Sequence, residues 1–313
     1  MIRKITFYIG TYAVAFLPCY ALANAELEAR ISELEGQIIE LQSEIETLET
    51  NAVLQLDGRV GRIGDYIQFS GVNVQVTNGL GATDSKNAVG NVLVGYDEPT
   101  VSSDDVSPIC SEGNLDSRDE FHCLQRGELW SWVHKSGSHN LVAGVKNNYA
   151  QYGGLIGGTF NSVIAAHGSI TAGTDNLMYS DYGHISGGYL NTVTRRGVVV
   201  GGTRNSTGPW PTRRAVVLGG FGNLGNGYDA SVVGGRNNTT YRNLASILGG
   251  ANNHAGGQVG ITIAGGRNNV IAYRFGNITH TTISGGQFGT FDENDPTNSY
   301  NWKAGDLVSL DGW

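Results

Sequence analysis

The side chains able to carry chemistry here are histidine, cysteine, serine, the carboxylates and arginine, and their spacing separates scaffold from candidate site. Seven histidines, His122, His134, His139, His167, His184, His254 and His280, are scattered without the spacing of metal ligands. His122 adjoins Cys123, but a metal site needs more ligands than this neighbourhood offers. Serines and carboxylates abound with no nucleophile motif around them. Paired acids such as Asp104-Asp105 lie in loop sequence, where water solvates them. No glycine-rich run ends in the Lys-Ser/Thr of a phosphate loop. The expectation is therefore no catalytic residue, no metal and no cofactor. Two groups remain. Cys110 and Cys123 suit a structural disulfide in an exported chain. Arg195, Arg196, Arg213, Arg214, Arg236, Arg242, Arg267 and Arg274 fall in turns or just after Gly-Gly, where stacking would repeat them along one or two faces. Such a face attracts a polyanion: acidic polysaccharide, glycosaminoglycan or lipopolysaccharide. Nucleic acid is not an expected partner. Tyr149, Tyr152, Tyr182, Trp130, Trp132 and Trp210 would add stacking on sugars.

These arginines sit in a region whose charge differs from its surroundings. Residues 26–50 carry eight Glu against Arg30, and residues 51–135 carry twelve acids against six bases. Residues 136–290 reverse this, with ten Lys/Arg and only Asp175, Asp181 and Asp229. The overall charge of −8 thus hides a basic segment between acidic ends.

What must position the arginines is a repeat. Ten times between Leu141 and Gly289 the chain writes apolar, any, small, Gly, any, any, Asn, as in Val232-Val233-Gly234-Gly235-Arg236-Asn237-Asn238. The anchors are Asn147, Asn161, Asn176, Asn191, Asn205, Asn223, Asn238, Asn253 and Asn269, with Gly289 in the last copy. Six residues before each anchor stands Leu, Ile or Val, from Leu141 and Leu155 through Ile170 to Ile283, and this residue is expected to point inward. Most spacings are 14 or 15 residues. Two short strands and two turns account for one such unit, which predicts an all-β parallel solenoid. Asn at the turn tolerates left-handed backbone, and its amide can bond the same amide one coil away. A weaker apolar position follows the anchor at Val163, Met178, Val193 and Ile271.

In chain order, residues 1–25 read as a signal peptide: Arg3-Lys4, an apolar run to Leu17 and Ala23-Asn24-Ala25. Export to the cell surface or beyond is the expected location. Residues 26–52 are a coiled coil, with Leu27, Ile31, Leu34, Ile38, Leu41, Ile45 and Leu48 spaced by four and three. Ile at a with Leu at d favours two strands on the core rule alone. Residues 53–95 hold entry strands, including an alternation over Val72, Val74 and Val76, and a partial first coil at Asn91–Gly95. Residues 96–135 form an inserted loop that should fold on itself or cover something. Residues 136–289 are the repeats, and residues 290–313 form a cap with Trp302 and Trp313. No stretch is long and apolar enough to insert into a membrane as a helix.

The short repeat, the Gly in every copy and the Ser231–Gly235 type of strand resemble the YadA-like heads of trimeric autotransporter adhesins. The resemblance covers residues 139–289 and implies a left-handed β-roll of 14- to 15-residue coils with three chains around one axis. It therefore implies a homotrimer, where the helix core alone favours a dimer. Gly-Gly-x-x-Asn departs from the adhesins' Ala-x-Gly signature, and here the coiled coil precedes the roll. No barrel-forming anchor segment is expected after Gly289. Coils with so few large inward residues bury too little apolar area to offset the ordering of so much glycine, which points independently to lateral association. The functional expectation is a non-enzymatic, adhesin-like fibrous protein that binds a surface or polyanionic glycan. A β-solenoid polysaccharide-degrading enzyme, a phage-type tail fibre and a pure structural spacer are the alternatives. The shortage of acids over residues 136–290 counts against the enzyme.

Overall fold

The computed structural model describes residues 6–49, 59–100, 107–112, 119–208, 214–256, 259–271, 280–287, 290–291 and 302–303. The chain divides into two units, Met1–Gln75 and Val76–Trp313. In the first, one α-helix, α1 (Thr6–Glu49), carries both the apolar N-terminal run and the heptads. The heptad residues from Leu27 to Leu48 are all exposed, so this seam has no partner among the described residues. Among the described residues no helix is long and apolar enough to cross a membrane. A hairpin follows, β1 (Val60–Ile63) paired antiparallel with β2 (Tyr66–Phe69), in which Ile63 faces Tyr66 across Gly64-Asp65. The expected strand at Val72, Val74 and Val76 does not form. Alternation alone supplies no hydrogen-bond partner, and a strand without a neighbour to pair with is not stable.

The second unit is a parallel β-solenoid. Its strands lie in two sheets, one of twelve strands and one of ten, and successive strands along the solenoid add alternately to each. The partial coil expected at Asn91–Gly95 is present: β3 (Val92–Val94) pairs in parallel with Leu141–Val145. At the far end Thr290–Phe291 and Trp302–Lys303 continue the two sheets in backbone pairing. The stack therefore extends past residue 289, into the segment expected to be only a cap. Gly289, Trp210 and Trp313 lie outside the described residues.

Each coil buries one apolar residue from the first sheet, and from the second sheet either an apolar residue or, in three coils, Thr207, Gly225 and Thr240. In the first sheet Ile170, Ile185, Val199, Val217, Val232, Ile247, Ile263 and Ile283 point inward as the repeat predicts. The first two coils differ. Leu141 and Leu155 face outward, and Val142 and Ile156 take the interior. The pairing of Ile156 with Ile170 and of Leu155 with Ser169 shows why. The interior residue lies five positions before the anchor in these coils and six in the rest, because the later coils carry one extra residue ahead of the glycine. Side chains alternate along a strand, so counting back a fixed six residues lands on the wrong face. Val163, Met178, Val193 and Ile271 fill the interior from the second sheet.

The corner between the sheets is set by three adjacent positions. Gly235, three residues before its anchor, has φ +86°, and a Cβ there would overlap the Gly250 carbonyl of the next coil. The residue just before the anchor is left-handed in nearly every coil; Lys146, Phe160, Asp175, Leu190, Arg204, Asn237, Asn252 and Asn268 have φ between 53° and 56°. The left-handed conformation thus falls on this neighbour and not on the anchor Asn. The anchor itself is buried. The Nδ2 of Asn238 donates to the carbonyls of Gly234 (2.9 Å) and Gly250 (3.1 Å), and its Oδ1 accepts the Asn253 N–H at 3.0 Å. The same three bonds recur along the row. Along the anchor row, among the described residues, amide-to-amide bonding, the expected arrangement, occurs where Asn176 donates to Asn161 at 3.0 Å. Elsewhere the amide serves the main chain.

Loss of one anchor removes three bonds at once: the Gly250 carbonyl keeps the Arg236 N–H, while the Gly234 carbonyl and the Asn253 N–H lose the anchor's amide. Asn238→Ala is expected to lower the free energy of unfolding by about 2–4 kcal/mol in chemical denaturation. Asn237→Gly, an exposed change at a left-handed position, is expected to shift it by less than about 0.5 kcal/mol.

Candidate polyanion-binding surface

The coil geometry sends charge to the corners. A strand residue faces either the dry interior or the outer face of a sheet, and the residues that face out from the strands are mostly small or apolar. Charged side chains are left to the turns. The second corner also uses a left-handed residue, with φ between 52° and 60° at His139, His167, Tyr182, Arg196, Arg214, Asp229, Leu244 and His280.

The arginines divide between the two corners. Arg195, Arg196, Arg214 and Arg242 lie at or beside the second corner, and most of them are engaged. Arg214 pairs with Asp229 at 2.7 Å. The Arg196 guanidinium lies 5.5 Å from the centre of the Tyr182 ring. Arg195 and Arg242 make interactions of their own. Arg236 and Arg267 lie at the first corner, joined by Arg204, which was not among the sequence candidates. All three are exposed and have no ion pair among the described residues. Arg236 and Arg267 are in register two coils apart, about 9.6 Å at a coil spacing of about 4.8 Å; Arg204, two coils before Arg236, stands one position later in its turn, in line with Asn237. Between them runs an exposed amide ladder in which Asn237 donates to Asn252 (3.3 Å) and Asn252 to Asn268 (3.1 Å). Arg236 is steadied by the Phe221 ring, 5.4 Å away. Arg213 and Arg274 lie outside the described residues.

Tyr182 does not present a free face for sugar stacking. Tyr152, His167 and Tyr182 form a column along the second corner, with centroids 5.3 and 5.1 Å apart, and Arg196 covers the far side of Tyr182. A ring whose two faces are occupied by neighbours offers only its edge. Tyr149 is buried, and its hydroxyl donates to Asp97 at 2.8 Å. Burial, then the Asp97 carboxylate, pushes that phenol above its usual range.

The inserted loop both folds on itself and covers the roll. Ile109–Cys110 pairs antiparallel with Trp130–Ser131, and a short helix, α2 (Glu120–Gln125), is capped by Asp119, which accepts the His122 N–H. Cys110 and Cys123 are joined by the expected disulfide and are fully buried. Ile109 packs on Ala150 and Ile164, with Leu177 and Tyr179 at the edge. His134 seals this joint: its Nε2 donates to the carbonyls of Ile109 (2.8 Å) and Ser131 (3.0 Å). Spacing gave no signal for this role, since both partners are backbone carbonyls. Among the described residues no cluster of His, Cys, Asp or Glu could hold a metal ion. Comparison of the chain with protein-family models, with curated proteins and with solved structures found no match.

Burial holds the His134 imidazole below the usual histidine range, against the pull of its two carbonyl acceptors. The unfolded chain therefore takes up the proton first, and stability is lost as pH falls below about 6.5. Amide exchange over residues 109–131 is expected to quicken between pH 7 and pH 5 beyond its intrinsic pH dependence. His134→Gln, which keeps an N–H donor and removes the titration, should abolish that step.

Proposed function

We propose that this chain is an exported, non-enzymatic fibrous protein, a homotrimer with an adhesin-like β-roll head, whose first corner binds polyanionic glycans. The observation that carries the reading is the unpaired row of Arg204, Arg236 and Arg267. Arg236 and Arg267 recur in register along one edge beside the amide ladder, with Arg204 one position along two coils earlier, and none of the three has an ion pair among the described residues. A rod of evenly spaced cations is matched by a chain of evenly spaced sulfates, phosphates or carboxylates, and a guanidinium bonds each bidentately. The basic balance of residues 136–290 adds long-range attraction.

Export rests on the N-terminal sequence, with cleavage after Ala25. The homotrimer rests on the exposed heptad seam and on the resemblance of the repeats to trimeric adhesin heads. Dimerisation through the same seam is the competing assembly. Surface display fits a rod whose faces are neutral and whose recognition lies along an edge.

Binding of the full chain to a sulfated polysaccharide is expected to weaken steeply as salt rises from about 50 to 200 mM. Arg236→Ala/Arg267→Ala should lower affinity at low salt by about tenfold or more, and Arg214→Ala, whose side chain is already paired, by much less. An affinity that is flat with salt, or a double variant that binds as the parent does, would overturn the reading.

A further inference from the structure

The first coil ends in a cluster that the repeat does not require. Its strand sets Leu93 and Val94 beside Val142 and Ala143, and Gly95 lies against the Gly144 carbonyl. Continued round the corner, this register sets Asp97 beside Lys146, both left-handed, and Glu98 beside the anchor Asn147. Glu98 therefore stands where the anchor row has Asn. Its Oε2 is shut off from water and has no hydrogen-bond partner among the described residues. Asp97 is engaged on both oxygens. The Lys135 ammonium donates to Oδ1 at 2.5 Å and to the Asn147 carbonyl at 3.1 Å, and the Tyr149 hydroxyl donates to Oδ2 at 2.8 Å. Lys135 Nζ also lies 5.2 Å from the centre of the Tyr149 ring. The Lys135 and Asp97 side chains are only 18 % and 26 % exposed. They are 38 residues apart and stand at the two ends of the inserted segment.

An amine and a carboxyl held in contact need lose only water to become an amide, and fixed contact supplies the effective concentration that condensation in water lacks. We propose that Lys135 and Asp97 are a self-modification site: they form an intramolecular amide cross-link, with Glu98 as proton carrier, that closes the inserted segment into a ring at its base. The reaction balances within the chain. The ammonium passes one proton to the Asp97 carboxylate at Oδ1, and the neutral Nζ attacks Cγ. As the C–N bond forms, the carbonyl electron pair moves onto Oδ2, where the Tyr149 hydroxyl stabilises it. Burial keeps that phenol in its donor form. A second proton then leaves Nζ through Glu98 to the Oδ1 hydroxyl, the C–O bond breaks, and one water departs. Nothing outside the chain is consumed. The bond has a mechanical use. β3 is the edge strand of its sheet, at the open end of the roll. Tension drawn through the N-terminal helix reaches β3 first and the inserted segment next. An amide from Asp97 to Lys135 carries that load past the segment, and the Cys110–Cys123 disulfide lies within the ring it closes. None of this depends on the glycan reading.

The test is the intact mass of the full chain with its disulfide reduced, together with its tryptic map. The mass is expected to fall one water short of the sequence read from the measured N-terminus. Asp97 and Lys135 should appear in one branched peptide, uncut after Lys135. Lys135→Arg keeps the ion pair and cannot close; it should show its full sequence mass, the parental circular dichroism and a lower thermal midpoint. Glu98→Gln should be isolated largely open and close about a hundredfold more slowly on incubation. A parent at full sequence mass after prolonged incubation, with Asp97 and Lys135 in separate peptides, would overturn the proposal. So would a missing water that persists in Lys135→Arg, which marks a succinimide at another residue. Closure of Glu98→Gln at the parental rate would remove Glu98 from the step.

Discussion

Everything in the solenoid depends on one side chain serving three backbone groups. A coil of about 15 residues must turn twice, and each turn frees carbonyls and N–H groups that water cannot reach once coils stack. At the first corner the anchor Asn closes that account: Asn223, for example, donates to Gly219 (2.7 Å) and Gly235 (3.1 Å) and accepts the Asn238 N–H at 2.9 Å. Its amide has both donors and an acceptor, so one residue can tie its own turn to the next coil on both counts. Aspartate lacks the donors and serine the reach. The glycine three residues earlier follows from the same geometry, since its carbonyl-to-backbone approach leaves no room for a Cβ.

The fixed corner dictates where function can lie. With interior positions taken by uncharged residues, mostly Ile and Val, and the outer sheet faces almost free of charge, the turns are left as the sites for ionic side chains. The two corners then diverge in chemistry. The second consumes its charges internally, in the Arg214–Asp229 pair and the Arg196–Tyr182 contact, and so stiffens the edge. The first leaves Arg204, Arg236 and Arg267 open. Neutral sheet faces suit packing, and cationic edges suit recognition, so one coil design separates the two tasks by position alone.

The solenoid was legible because its demands repeat: the Gly and Asn positions are the same in every coil, and the interior Ile/Val follow from them. What the sequence concealed comes from places where the repeat is silent. The one-residue shift that turns Leu141 and Leu155 outward depends on the length of the path to the glycine, and two adjacent apolar residues satisfy either register. The alternation at Val72–Val76 predicts a strand only if a neighbour exists. The occupied faces of the Tyr152–His167–Tyr182 column and the pairing of Arg214 arise from residues about 15 apart, so a list of exposed aromatics and arginines overcounts the available ones.

A stack this thin, joined to a helix with an exposed apolar seam, is expected to exist only in company. The most direct measurement is the native mass of the unaltered protein in solution, by light scattering at several concentrations. The account predicts three chains of at most 33.2 kDa each, reduced by removal of the N-terminal segment, with no dissociation on moderate dilution. A stable, folded single chain at every concentration would contradict it.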